Sequence, residues 1–414
     1  MQRKGIFVTF SGEKVCMFVP SADGGHPLYA KELLTAMVRT GGCQVELVSS
    51  EYLTEAFDSE LYPVHRILPT IQPRTHFRSS AQWVVDRLTY YPRQQRIFLR
   101  WLANQPHITL VHLQEWAPWL ASSLIADIRA LGKRVFYTAH NIIPHRSPPG
   151  VPPEMMHRWL RRAYRQCDGL FVHTPRLAKQ LADFLENRHP PIHVTPHGIW
   201  TMDLPANPPS IEERLTWKRL LFFGTIRRNK GLDQLLRAME QLPGYTLTIA
   251  GDPEEPAYFR EQVVPLVHRL REMGIGIDLH DRFIPDDEMA ALFASHSALM
   301  LPYTPAFTAQ SGVLFMAITH GIPVIASAVG GLREMLSEHP IGMMIDQATP
   351  GQIADGIRRL YAQGLEMDVA GHLLRARQAY SWQATATATI AGYAQSLRSP
   401  SKSHACTLPT TSAA

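Results

Sequence analysis

Residues 299–335, LMLPYTPAFTAQSGVLFMAITHGIPVIASAVGGLREM, constrain the fold more than any other stretch. Leu299 to Leu301 end an apolar run, and Pro302 to Gln310 form a loop with two prolines. Ser311 and Gly312 open a helix to His320, Gly321 closes it, and Pro323 follows in the usual helix-stop order. Val324 to Ala326 is a short buried strand, and Gly330-Gly331 makes a tight turn before another helix. Two strand-to-helix loops this close put two helix N-termini on one rim of a parallel sheet. Such termini expose unpaired backbone N–H groups with partial positive charge and suit phosphate. Ligands of open α/β sheets bind outside the carboxyl ends of the strands.

The same strand-loop-helix pattern recurs along the chain. Lys14 to Pro20 is a buried strand, Asp23-Gly24-Gly25-His26 a turn, and Leu28 to Val38 a helix. Gly24 and Gly25 let backbone approach a ligand, although they do not form the GxGxxG fingerprint. Further strands are expected at 45–48, 108–113, 134–139, 169–172 and 192–195, the last four ending on Gln114-Glu115-Trp116, His140-Asn141, His173-Thr174 and Pro196-His197-Gly198. Residues 199–217 lack periodicity and are rich in Pro, Asn and Ser, which reads as a linker. A second series starts with the strand Arg219 to Phe223, followed by GTIRRNKG at 224–231. The expected division is 1–198, a linker at 199–217, a second domain at 218–374, a helix at 375–398 and a disordered tail at 399–414.

With 414 residues, two domains are expected. No apolar run reaches the ~18–20 residues that span a bilayer, and Gly5 to Phe10 is too short for a signal peptide's core. The four cysteines are scattered and suggest neither disulfides nor a zinc site. The chain is therefore expected in the cytoplasm. A net charge of +5 favours an anionic partner. Residues 74–101 interleave arginines with Phe77, Trp83, Tyr90, Tyr91, Phe98 and Trp101. This suits an anionic membrane surface or nucleic acid, or simply a solvated basic face. HRWLRRAYR at 157–165 repeats the pattern and favours the membrane.

TAHNIIPH, VTPHG, LFFGTIRRNKG, PDDEM and GIPVIAS, in this order between two α/β halves, together resemble a GT-B glycosyltransferase of the family 4 type. The resemblance covers about Lys14 to Tyr393. It implies two Rossmann-like domains facing across a cleft, with a C-terminal helix crossing back to the first. It also implies a nucleotide-sugar donor (GDP-mannose or a UDP-sugar) on the second domain. A lipid-linked or growing glycan acceptor of bacterial polysaccharide assembly would then lie on the first. The basic stretches place such an enzyme peripherally at the inner membrane face, with no nucleic-acid partner.

Lys230 matches the family's phosphate lysine, and Thr225 replaces its usual arginine, leaving Arg227 or Arg228 for that role. Gly224, Gln310, Ser311 and Gly312 complete the implied donor site. His140 is the first choice for a donor-sugar contact, and His26, His140 or His145 could act as a base. The family's two glutamates fall on Thr308 and Met316. That departure implies a divergent branch using Gln310, Ser311 and backbone groups, or a non-catalytic binding protein. No DxD follows a strand, so no catalytic metal is expected.

Overall fold

A computed structural model describes residues 12–22, 25–41, 43–69, 79–143, 151–199, 207–307 and 311–398. Contacts divide the chain into two units, Met1–Gly198 with Trp382–Ala414, and Ile199–Ser381.

The first unit carries β1 (Lys14–Val19), β2 (Gln44–Ser50), β3 (Val64–Leu68), β4 (Leu110–Leu113), β5 (Arg134–Thr138), β6 (Gly169–Val172) and β7 (Ile192–Val194). Their order is β3-β2-β1-β4-β5-β6-β7, and every recorded pairing is parallel. The second carries β8 (Arg219–Phe223), β9 (Thr246–Ala250), β10 (Ile277–His280), β11 (Ala298–Leu301), β12 (Val324–Ser327) and β13 (Gly342–Ile345), ordered β10-β9-β8-β11-β12-β13 and again parallel. Strands such as β4, β11 and β12 are buried at every residue, as sheets covered by crossover helices on both faces require. The strand order reverses between β1 and β4 and between β8 and β11. These switch points leave a crevice at the carboxyl ends of each sheet.

The chain is therefore α/β with two Rossmann-like units, but its boundaries differ from the sequence reading. The segment read as a linker holds a helix, Ile211–Thr216, with a Ser210/Glu213 capping box. Arg214 of that helix is buried and donates to the carbonyls of Phe293, His296 and His320, so the segment belongs to the second unit. The helix expected over 375–398 is two helices, Val369–Ala379 and Trp382–Arg398. Ser381 Oγ takes the carbonyl of Gln378, which a continuous helix would offer to Trp382 N–H. Tyr380 O instead accepts from Ile199 N.

Helix Trp382–Arg398 packs on helix Gly25–Thr40 and on β6 and β7 of the first unit. Its buried Tyr393 hydroxyl meets His112 Nδ1, and His112 Nε2 lies 2.7 Å from Thr138 Oγ1. Burial pushes His112 down to about 3, so it is neutral and bridges two hydroxyls without stranding a charge. Ser396 Oγ lies 2.7 Å from His193 Nε2, and Thr385 donates to Pro196 O at 2.9 Å. A Cβ at Gly198 would lie 2.2 Å from the Trp382 ring. Gly198→Ala is therefore expected to destabilise the first unit by about 1–3 kcal/mol through overpacking. A lowered denaturant midpoint at unchanged m-value would show it.

The basic aromatic stretch resolves into helix Ser80–Ala103. Phe98 and Tyr90 are buried, and Phe98 packs against Phe18. Arg93, Arg96 and Arg100 are exposed at helical spacing, beside the exposed Val84 and Val85. These buried rings belong to the core, so they cannot act as interfacial anchors, and the outward face is basic. Arg74, Phe77 and Arg78 lie outside the described residues.

Candidate active site

In the second unit, the loops after β8 and β11 meet at the switch point. Gly224 follows β8 with φ +94°, and a Cβ there would lie 3.1 Å from Val313 Cγ2 and 3.2 Å from Lys230 Nζ. Only glycine takes that backbone at little cost and leaves the space open. Gly231 (φ +63°) lets the turn Arg228–Lys230 pass against Pro302, since a Cβ would lie 2.1 Å from Pro302 O. Thr304 N donates to Asn229 O at 2.9 Å, joining the two loops.

Lys230 is only 9% exposed. Its ammonium lies 5.7 Å from the Tyr303 ring centroid and makes no ion pair or hydrogen bond among the described residues. Burial, and then the Arg227 charge, push Lys230 down to about 8. A buried cation without a counter-ion is expensive unless an anion arrives. Beside it, helix Gly312–His320 is capped by Ser311, whose hydroxyl accepts from Leu314 N at 3.3 Å and meets Tyr303 Oη at 3.1 Å. Gly312 is exposed, so the first turn of the helix is open. At the other end Arg377 donates to the carbonyls of Ile318 and Thr319, and Arg214 to that of His320. Cations on the carboxyl end complement the dipole whose positive end lies by Lys230.

The candidates at this site divide. Gly224, Lys230, Ser311 and Gly312 converge. Arg227 is held by Glu254, with Nε to Oε2 at 2.6 Å. Arg228 lies over the Tyr258 ring and donates to Gln262, turned to the segment after β9. Met316 is half-buried against the apolar core. Gln310 and Thr308 lie outside the described residues.

In the first unit, the carboxyl ends of the strands gather imidazoles around Tyr29, a fully buried phenol on helix Gly25–Thr40. Gly25 is the first residue of that helix, and Gly24 lies outside the described residues. His26 Nδ1 pairs with Glu115 Oε2 at 2.9 Å, and Ser21 N donates to Glu115 Oε1 at 3.3 Å. Burial pushes the Glu115 carboxyl up, but the bonds from His26 and Ser21 and the His26 charge outweigh it and hold it below the usual range. His140 stacks on His26 with centroids 4.9 Å apart and meets the Tyr29 edge at 4.7 Å. Its Nε2 lies 2.6 Å from Gln114 Oε1 and its Nδ1 lies 2.9 Å from His173 Nε2. Burial, and then neighbouring histidines, push His140 well below the ordinary value. His145 lies outside the described residues. Tyr29 also meets the rings of His173, His197 and Trp382. Sequence reasoning found the strand ends bearing His173 and His197 but gave those residues no role. It missed Tyr29, which a helical pattern presents as one more core aromatic.

Comparisons with known proteins agree with this architecture. The Glycosyltransferase Family 4 model matches residues 23–201, and the Glycosyl transferases group 1 model matches 217–363. A D-inositol 3-phosphate glycosyltransferase of a Nocardioides species is 26% identical over 404 residues, covering 89% of this chain and 85% of that protein. Sucrose-phosphate synthase of Thermosynechococcus elongatus superposes with a TM-score of 0.65 at 19% identity, covering 92% of this chain and 98% of its own. HepE of Anabaena, in complex with UDP, gives 0.65 at 16% identity, covering 93% and 100%. The two family models in tandem and the shared fold show that this chain belongs to the family 4-like GT-B glycosyltransferases and is a transferase enzyme.

Proposed function

We propose that the chain transfers a hexose from a nucleotide-sugar donor, a UDP-sugar or GDP-mannose, to a lipid-linked or growing glycan acceptor in bacterial polysaccharide assembly. The observation that carries this reading is the buried Lys230 ammonium, which makes no ion pair among the described residues, beside the open N-terminus of helix Gly312–His320. A nucleoside diphosphate leaves with growing negative charge. A fixed cation and backbone N–H groups stabilise that charge more in the transition state than in the ground state. HepE, a neighbour in fold, is described in complex with UDP and UDP-glucose, which supports a UDP-sugar for this chain as well. Met316 stands where the family's ribose-gripping glutamate is expected, so nucleotide affinity here leans on the diphosphate rather than the ribose.

An anionic membrane surface fits the exposed arginines. Arg93, Arg96 and Arg100 lie on helix Ser80–Ala103, and Arg158 and Arg162 on helix Pro153–Gln166, with helix Pro118–Ala130 contacting both. No helix among the described residues is long and apolar enough to cross a membrane. Nucleoside diphosphate release from UDP-glucose, UDP-galactose and GDP-mannose, measured with a panel of lipid-linked and oligosaccharide acceptors, tests the transfer. One donor should turn over in an acceptor-dependent way, and no turnover with any pair would contradict the reading. Sedimentation with anionic vesicles at low salt tests the surface. Binding should be lost when Arg93, Arg96 and Arg100 are changed to Glu, and binding that survives the change would remove this face from the account.

A further inference from the structure

Three imidazoles of the first unit form an arrangement that the transfer reaction does not explain. His140 follows β5, His173 follows β6 and His197 follows β7, so three neighbouring strand ends deliver them together. Each turns one ring nitrogen to a fixed oxygen. His173 Nδ1 lies 3.2 Å from Thr195 O, His197 Nδ1 lies 2.8 Å from Gly198 O, and His140 Nε2 lies 2.6 Å from Gln114 Oε1. Carbonyl oxygens only accept, so these nitrogens carry the N–H.

A neutral imidazole has one N–H, and its other nitrogen then presents a lone pair. Those second nitrogens of His140 and His173 face each other at 2.9 Å. Two lone pairs at that distance repel unless a cation or an added proton lies with them. One ring nitrogen from each of the three histidines lies within 4.8 Å of the others.

We propose that His140, His173 and His197 form a site for a divalent transition metal of imidazole preference, Zn2+ or Co2+ being suitable probes. Outward N–H donation to carbonyl oxygens is the arrangement that orients metal-bound histidines and raises their basicity. Three histidines leave a fourth position open to water or another ligand. The fit requires little movement. Tetrahedral zinc with bonds of about 2.0–2.1 Å places nitrogens about 3.3 Å apart. The His140–His173 pair must therefore open by a few tenths of an ångström, while His197, in the loop after β7, closes in. The site is distinct from the diphosphate site and draws only on the first unit, so it does not depend on the donor reading. Because an ion here would engage His140, it would inhibit transfer rather than assist it.

The test is titration of the full chain, purified without a polyhistidine tag, with Co2+ followed by visible absorption and with Zn2+ followed by calorimetry. One equivalent should bind, with the intense visible bands of four-coordinate Co2+. His173→Gln and His197→Asn should each weaken binding at least tenfold. His65→Gln, far from the three in the sheet, should leave it unchanged. If His173→Gln fails to fold, His197→Asn decides, since it alters the loop after β7 and leaves the end of β6 intact. Absence of saturable binding overturns the proposal, as does unchanged binding in His197→Asn. In either case the Gln114 amide group donates to His140, and the three histidines are a purely structural network.

Discussion

Replacing Lys230 with methionine is expected to reduce stabilisation by nucleoside diphosphates sharply while leaving the free protein at least as stable as before. Methionine keeps most of the side-chain volume and removes a charge that burial penalises. Hydrogen bonds to charged groups contribute about 1.5–3 kcal/mol each, so affinity for the diphosphate should fall by roughly 10–150-fold. Loss in turnover should be larger, because the leaving group gains charge as the bond breaks.

The pH dependence has a definite sign. Lys230 is pushed down from 10.5 to about 8, so between those values the unfolded chain binds the extra proton and the native chain does not. Stability therefore rises with pH across that window, and the burial penalty is fully present below pH 8. The gain is on the order of 3 kcal/mol, and Lys230→Met should lack this contribution. Donor affinity should change oppositely, weakening above about pH 8 as the ammonium is lost. Thermal midpoints of both proteins between pH 7 and 10, with and without UDP, separate the two effects.

Replacing His140 with asparagine is expected to lower turnover by about 10²–10⁴-fold, the range for a group that exchanges protons or hydrogen bonds with the reacting sugar. UDP affinity should stay within a few-fold, because the proposed diphosphate contacts all lie in the second unit. The half-buried imidazole is held by Gln114 and His173 and faces His26 and Tyr29, so it is neutral and fixed in orientation. Once one of these two contacts gives way to the sugar, a neutral imidazole can donate or accept without first losing a charge. Unchanged turnover in the variant would remove His140 from the reaction. Loss of UDP binding would show that its effect is not confined to the sugar.

These two sites were legible in the sequence to different degrees. The helix Gly312–His320 was readable to the residue, because Ser311 and Gly321 are strong local signals whose effect does not depend on the rest of the fold. Lys230 was readable as a position, but its burial was not, since its ammonium lies against Tyr303, more than 70 residues away. Strand β3 was missed: four of its five residues are only half-buried, and its period is irregular. Arg214 was read as linker because a buried arginine serving three distant carbonyls has no local signature. The rings of helix Ser80–Ala103 were misjudged for a related reason. Composition shows arginines and aromatics together, but only helical phase against the sheet separates Phe98 in the core from Arg96 in solvent.

The central claim is that Lys230 and the open helix N-terminus form a diphosphate site. The most direct measurement is the thermal midpoint of the wild-type chain and of Lys230→Met with UDP, GDP, UMP and uridine. A ligand that binds only the folded state raises the midpoint by mass action. The account predicts a clear rise with at least one nucleoside diphosphate in the wild type, a much smaller rise with UMP, none with uridine, and a much smaller rise in the variant at the same ligand concentration. No shift with either diphosphate, or the same shift in Lys230→Met, would contradict it.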